Sequence, residues 1–193
     1  GNLFQEIYSK TLGRYVQRKI CSFIPRSCAA KDWLLHRGIP ENMISPIIHT
    51  GVNTADFFPL QSNSQIKTRF DVPEDNLLIV SVSRLSSFKG LNHLISAMRF
   101  VVKKFPKVTL IIRGDGPQAL YLSNLVTALK LQNQVKIIRR RLSRMELNEL
   151  YNASDFTALP SAKELFPNFS IIESLACGKP VIHSSIGGDR DLG

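Results

Sequence analysis

Short apolar runs alternate with amphipathic stripes from about residue 77 onward, and this alternation limits the fold more than any other feature of the sequence. Near-continuous apolar runs are typical of strands that are buried on both faces of a parallel sheet. The stripe that begins at Leu91 repeats at i, i+3, i+4 and i+7 and predicts a helix that ends before Pro106. The pattern therefore predicts an α/β fold, a Rossmann-like parallel sheet with helices on both faces. The predicted strands are residues 77–83, 108–112, 135–138, 156–159 and 181–183.

The first fifty residues have a different organisation. Residues 3–20 keep helical apolar spacing with basic residues between, which predicts one basic amphipathic helix. A helix over residues 28–36 and short strands at 22–24 and 44–48 are expected next. The segment after Thr50 is rich in Gly, Asn, Asp and Pro, which indicates a linker. We expect residues 1–50 to be the tail of a first domain, 51–62 an inter-domain linker, and 63–193 a second domain truncated at its C-terminus.

The composition narrows the function classes. The chain has 193 residues and a net charge of +10, which predicts attraction to something anionic. The cations are dispersed without interleaved aromatics, so nucleic acid is not an expected partner. Buried, reduced thiols are the expectation for Cys21, Cys28 and Cys177, whose spacing fits neither a disulfide framework nor a metal site. No apolar run is long enough to span a bilayer and no signal peptide is recognisable, so a cytoplasmic protein is expected.

Two carboxylates flank a predicted helix start in the stretch 161–182. Ser170 and Glu173 fit a capping box, which predicts a helix from about Ile171, and Gly178 fits its C-cap. A loop that follows a strand and feeds a helix is where such sheets bind ligands. The alternative for Glu173 is a plain capping residue, and for Glu164 a solvated loop charge.

Two cations lie in the turn between the first strand of this domain and the striped helix. Arg84 and Lys89 can both point at an anion above the helix N-terminus, which predicts a phosphate site. The alternative is a pair of ordinary surface cations. Gly114 and Asp115 end the next strand, where a tight turn is the simpler explanation of the glycine.

Several motifs in order resemble one known family, the retaining glycosyltransferases of family 4, in the second domain of their GT-B fold. The resemblance covers about residues 20–191, and the linker from Gly51 resembles the family's inter-domain junction. The matching segments are 84–90, 114–117, 150–155, 160–161, 164–173, 176–178 and 187–188.

The resemblance implies a role for each candidate residue. Arg84 and Lys89 would bind the diphosphate of a nucleotide sugar, and Glu173 the ribose hydroxyls. Glu164, the candidate catalytic residue, would hold the donor sugar together with the loop residues Phe166, Pro167 and Asn168. The family generally uses no metal, so neither a metal nor a cofactor is expected. The weaker candidates are Gly114, Asp115, Arg139 and Arg140, the last two lying where the family's backbone contacts the base.

The sequence also departs from the family pattern. Eight residues separate Glu164 from Glu173, where the family has seven. Ser83 replaces a glycine before Arg84, the run from Arg139 to Arg141 replaces another, and Asp191 stands in place of a glutamate. Glu164 is therefore the assignment most affected by these departures.

The resemblance implies a retaining hexosyltransferase that moves sugar from a nucleotide-diphosphate sugar to a glycan or lipid-linked acceptor. This chain would be mainly the donor-binding part, and it is expected to be inactive alone. The alternatives are a nucleotide-sugar epimerase of the same fold, or a basic non-catalytic module that binds anionic lipid or nucleic acid through Lys10–Lys19 and Arg139–Arg144. Peripheral contact with an anionic membrane, at its inner face, is a further expectation.

Overall fold

The computed structural model describes residues 19–61, 64–164 and 166–192, and its centre is one five-stranded parallel sheet. The strands occur in the order β3-β2-β1-β4-β5, and every neighbouring pair is parallel. The order reverses between β1 and β4, which makes that junction the topological switch point of the sheet. The strands are β1 (Leu77–Val82), β2 (Val108–Arg113), β3 (Val135–Ile138), β4 (Phe156–Leu159) and β5 (Val181–His183).

Helices connect the strands and precede them. Three short 3-10 turns, Glu41–Met43, Ser87–Lys89 and Gly187–Leu192, complete the described elements. The helices are α1 (Cys28–His36), α2 (Ser64–Arg69), α3 (Leu91–Lys104), α4 (Ala119–Ala128), α5 (Arg144–Ala153) and α6 (Phe169–Ala176).

The sheet is covered on both faces because its strand residues alternate between two apolar cores. Leu110 and Ile112 belong to the core formed with α3 and α4, whereas Ile111 belongs to the core formed with α2 and α5. All three side chains are fully buried. The predicted Rossmann-like architecture with helices on both faces is confirmed.

Most of the predicted elements agree with the structure closely. All five strands begin where predicted and end within one residue of the predicted position, and α3 ends before Pro106. The predicted capping box at the start of α5 is present, since Ser143 Oγ accepts from the Glu146 amide at 3.2 Å and Glu146 accepts from the Ser143 amide at 2.7 Å. Cys177 is buried as expected, but Cys21 and Cys28 are exposed.

The two short strands predicted at 22–24 and 44–48 are wrong. They are reduced to one parallel bridge between Phe23 and Ile44. Pro25 lies two residues after Phe23 and Pro46 two residues after Ile44, and since proline has no amide hydrogen it cannot donate to an extension of the ladder. Helix α2 was not predicted. Residues 3–18 of the predicted basic helix lie outside the described residues, so that helix stays a prediction.

The predicted linker contains no strand or helix over residues 51–61, as its composition indicated. Two asparagines of α5 fix it in place. Asn148 Oδ1 accepts from the Phe58 amide at 3.2 Å, and Asn152 Oδ1 accepts from the Leu60 amide at 2.8 Å. The segment is therefore held along α5, while the division of the chain into two domains stays a prediction.

The capping box of α5 makes stability depend on pH. Hydrogen bonds from Ser143, with the nearby Arg140 guanidinium, lower the pKa of Glu146 from 4.5 to about 2. A lowered folded-state pKa stabilises the fold above pH 4.5, and this stabilisation is lost as pH falls towards 2. We expect Glu146→Gln to destabilise the chain at pH 7 and to lose this effect progressively below pH 4.5 in urea titrations. Glu74→Gln, at an exposed glutamate without a side-chain partner among the described residues, is the control. An effect of Glu146→Gln that is constant with pH would contradict the prediction.

Candidate functional site

The loops after β1 and β4 meet at the switch point of the sheet. The Ala162 amide donates to the Phe88 carbonyl at 2.7 Å, which joins the two loops. Gly90 is essential to this approach because a Cβ there would lie 1.9 Å from the Pro160 carbonyl oxygen, and its φ is +65°. The position matches the place where open α/β sheets bind ligands.

This contact brings Lys89 and Glu164 together. The Lys89 ammonium donates to Glu164 Oε1 in an ion pair whose two side chains are each only 12% exposed. Asn168 Nδ2 lies 3.4 Å from the same oxygen. Arg84 is exposed on the same loop as Lys89, and its side chain has no hydrogen-bond or ion-pair partner within the described ranges. Of the two predicted phosphate-binding cations, Lys89 is therefore paired and the Arg84 side chain is free.

The predicted capping box at α6 is wrong. The helix begins at Phe169 and its N-cap is Asn168, whose side chain accepts from the Ser170 amide at 3.4 Å. Ser170 Oγ instead donates to the Val82 carbonyl at 2.6 Å. Glu173 is consequently not needed for capping and is available to the site.

Glu173 forms a hydrogen bond with a buried tyrosine. The Tyr151 hydroxyl donates to Glu173 Oε2 at 2.8 Å. Burial raises the pKa of Glu173, although this hydrogen bond and the charges of Arg113 and Arg144 oppose the shift. Burial also raises the pKa of Tyr151 well above its usual value, so the phenol stays a donor. The Glu173 oxygen that Tyr151 does not occupy remains an acceptor.

Arg26, which precedes the sheet in sequence, contacts the predicted sugar loop, Phe166–Asn168, and the residue that follows it. The Arg26 guanidinium lies 5.3 Å from the ring centroid of Phe166 and 5.5 Å from that of Phe169, close enough for cation–π attraction. The same guanidinium donates to Thr50 Oγ1 from two nitrogens, at 3.1 and 2.5 Å. Residues that precede the sheet in sequence therefore contact the loop that follows β4.

The turn Gly187–Leu192 contacts the segment Phe166–Asn168 through a buried carboxylate. The carboxylate of Asp189 is fully buried, and its Oδ1 accepts from the Asn168 amide at 2.8 Å. Asp189 Oδ2 has no hydrogen-bond partner in the part of the chain that the structure describes, and burial raises the pKa of this side chain. Gly187 lies so close to Glu164 that a Cβ would be 1.4 Å from the Glu164 carbonyl oxygen. A larger residue at position 187 would therefore displace the backbone of Glu164.

The charged side chains among the weaker candidates form ion pairs within the chain. A Cβ at Gly114 would lie 1.8 Å from the Ser83 carbonyl, so this glycine serves the turn. Arg139 pairs with Asp115 at 2.9 Å, which lowers the pKa of Asp115, and Arg140 pairs with Glu146 at 2.7 Å. Their cations are partly neutralised within the chain.

Residues from outside the predicted set also belong to the site. Arg26, Arg113, Tyr151 and Asp189 were not selected, because their importance depends on contacts between distant segments. Only Arg113 had a local signal, a cation that ends an otherwise apolar strand. Within the described residues no group of three or more His, Cys, Asp or Glu could hold a metal ion. Among the helices of the described ranges, none is both long and apolar enough to cross a membrane.

Comparison with known families shows which family the chain belongs to. The model of the family described as Glycosyl transferases group 1 matches residues 62–192, which include every candidate residue. The chain belongs to this family. The predicted recognition is therefore confirmed.

Relatives of the group 1 chain are glycosyltransferases. An uncharacterized glycosyltransferase of Haemophilus influenzae is 30% identical over 90% of this chain and 44% of its own length. The D-inositol 3-phosphate glycosyltransferase of Mycolicibacterium smegmatis is 31% identical over 74% of this chain and 32% of its own length. The chain thus spans less than half of the curated relatives it matches.

A solved structure has the same fold as this group 1 chain. Anabaena Alr3699/HepE in complex with UDP and glucose superposes with a TM-score of 0.78 at 28% identity, covering 90% of this chain and 46% of that protein.

The turn Gly187–Leu192 yields a prediction for stability and for the site. Gly187 and Gly178 both have positive φ, +50° and +71°, but a Cβ at Gly178 meets no atom nearer than 3.7 Å. We expect Gly178→Ala to cost about 1–2 kcal/mol from backbone strain alone, and Gly187→Ala to cost more because it also displaces Glu164. Urea titrations of the two variants measure the difference. Equal losses would show that the close approach at Gly187 is tolerated.

Proposed function

We propose that this chain binds a nucleotide-diphosphate sugar at the carboxyl edge of its sheet, as the donor-binding part of a retaining glycosyltransferase. The observation that carries the proposal is the Lys89–Glu164 pair at the switch point, beside the unpartnered Arg84. The acceptor is a glycan or a lipid-linked molecule, and the acceptor side lies outside the segment that this chain supplies. The chain alone therefore binds the donor without transferring its sugar.

Arg84 and Lys89 form the diphosphate clamp. The guanidinium of Arg84 has no partner among the described residues and can bind phosphate oxygens in a bidentate manner. Lys89 carries three N–H donors, so it can keep Glu164 and still donate to a phosphate. In transfer, the bond from C1 to the diphosphate breaks and the diphosphate leaves with the electron pair. The acceptor oxygen bonds C1, and its proton passes to an oxygen of the departing diphosphate. The two cations stabilise the charge that develops on the leaving group.

Glu164 and the loop Phe166–Asn168 hold the sugar. Glu164 Oε1 is already occupied by Lys89 and Asn168, so the carboxylate is fixed in orientation and its remaining lone pairs can accept from sugar hydroxyls. This fixed position supports the catalytic assignment despite the additional residue between the two glutamates. Glu173 accepts from the ribose hydroxyls with the oxygen that Tyr151 leaves free.

The relatives support a nucleotide-sugar donor. Anabaena Alr3699/HepE holds UDP and glucose in a fold that matches 90% of this chain, and we infer that the same edge of the sheet binds UDP or a related nucleotide here. No metal or cofactor is proposed for the donor site. Peripheral contact with an anionic membrane is a proposal that rests on the basic segment Lys10–Lys19, and cytoplasmic localisation is a separate proposal.

The basic, non-catalytic alternative is less consistent with the structure. Three of the arginines it requires, Arg139, Arg140 and Arg144, are each paired with a carboxylate. Such pairing reduces the charge available to a polyanion. The epimerase alternative has no supporting feature among the described residues.

Loss of either clamp cation should weaken nucleotide binding. We expect Arg84→Ala and Lys89→Ala each to weaken UDP binding by about 1.5–3 kcal/mol, because each removes a charge-assisted hydrogen bond. Isothermal titration calorimetry at fixed salt measures the change. Arg99→Ala, at an exposed cation of α3 outside both loops, is the matched control and should bind UDP as the parent does. Parent-like affinity in both clamp variants would remove the diphosphate assignment.

Substitutions of the two glutamates should change the affinities for UDP and UDP-glucose differently. Glu173→Gln should weaken both UDP and UDP-glucose, since the ribose is common to both. Glu164→Gln should weaken only UDP-glucose, and its UDP affinity should hold or rise because Lys89 loses its internal counter-charge. Parallel titrations with the two ligands test this. If Glu164→Gln weakened UDP as much as UDP-glucose, Glu164 would not be a sugar ligand.

A further inference from the structure

Arg113 is a cation at the carboxyl end of β2, at the same edge of the sheet as the candidate site. It pairs in register with Val82 of β1 and with Ile138 of β3. Its neighbour Ile111, two residues earlier, packs in the core that contains Tyr151. Since alternate strand residues share a face, the Arg113 side chain lies on the same face, towards Glu173.

The guanidinium of Arg113 has no acceptor among the described residues. Its Nε is buried without a hydrogen-bond partner, and no ion pair of Arg113 is found across the described residues. The charge of Arg113 is felt by Glu173, where it opposes the rise in pKa that burial causes. A guanidinium carries five N–H donors and no acceptor, and buried donors in folded proteins are normally paired. An unpaired one at the edge of a ligand site therefore indicates a ligand that supplies the acceptor.

The position of Arg113 indicates which part of a ligand it would meet. The Ser83 amide donates to the Arg113 carbonyl at 3.1 Å, so the residue adjoins the loop that carries Arg84. The Gly114 amide donates to the Ile138 carbonyl at 3.0 Å, so it also adjoins the segment that leads to Arg139. Arg113 thus lies between the proposed diphosphate clamp and the proposed base region, on the face of the ribose carboxylate Glu173.

We propose that Arg113 donates to an acceptor oxygen of the nucleoside part of the donor, beside Glu173, and so helps to select the nucleotide. This rests on the proposed nucleotide-sugar site. It also explains why an unpaired guanidinium ends a strand whose other five residues are uncharged and buried.

Two measurements on Arg113→Met, the melting temperature and the UDP affinity, separate a ligand role from a structural role. Arg113→Met removes an unpaired donor from a half-buried position, so the melting temperature of the unliganded chain should stay the same or rise. Its affinity for UDP should nevertheless fall about 10-fold or more. A structural role would instead lower the melting temperature. A fall in melting temperature with unchanged UDP affinity overturns the proposal.

Inorganic pyrophosphate identifies the part of the ligand that Arg113 contacts. Arg113→Met and Arg113→Gln should bind pyrophosphate as the parent chain does, while Lys89→Ala should weaken both pyrophosphate and UDP. The preference of the chain for UDP over ADP and GDP should shrink in both Arg113 variants, and Arg99→Met is the matched control. An equal loss of pyrophosphate and UDP binding would place Arg113 in the clamp and overturn the nucleoside assignment. A parent chain that binds neither ligand would overturn the proposed function itself.

Discussion

The close approach of two loop backbones, after β1 and after β4, is the constraint on which the candidate site depends. A side chain at Gly90 would collide with the Pro160 carbonyl, and without this approach the Ala162 amide could not reach Phe88. The reversal of strand order leaves this gap without a crossover helix, so the loops can meet there. Lys89 and Glu164, which are 75 residues apart in sequence, become a nearly buried ion pair as a result.

Much of the fold could be predicted because its signals are local. The five strands are apolar runs, α3 carries an unbroken stripe ahead of Pro106, and the Ser143 capping box lies within four residues. The positions of Arg84, Lys89 and Glu164 also followed from the sequence, since parallel strands deliver their loops to one edge of the sheet. Their roles came from the family resemblance and remain proposals.

The errors arose where distant residues compete for the same polar group. Ser170 and Glu173 have capping-box spacing, but Ser170 donates to the Val82 carbonyl and Glu173 accepts from the Tyr151 hydroxyl. Sequence spacing cannot show such partners, because they depend on how β1, α5 and α6 pack. Asp189 was not predicted for the same reason, because its buried carboxylate accepts a hydrogen bond from the Asn168 amide in another segment. The short strands near the N-terminus failed for a simpler reason, the prolines that follow them.

The hydrogen bond from the Cys28 amide to Asp191 Oδ2 joins residues 163 positions apart, at 2.8 Å. It places the carboxylate at the N-terminus of α1, where the helix dipole favours negative charge. On a ribosome that adds about 5–20 residues per second, α1 emerges roughly 8 to 30 s before this partner exists. Helix α1 and the Arg26 brace can therefore dock only after nearly the whole sheet has been synthesised, so the proposed sugar loop acquires its support as a late step of folding.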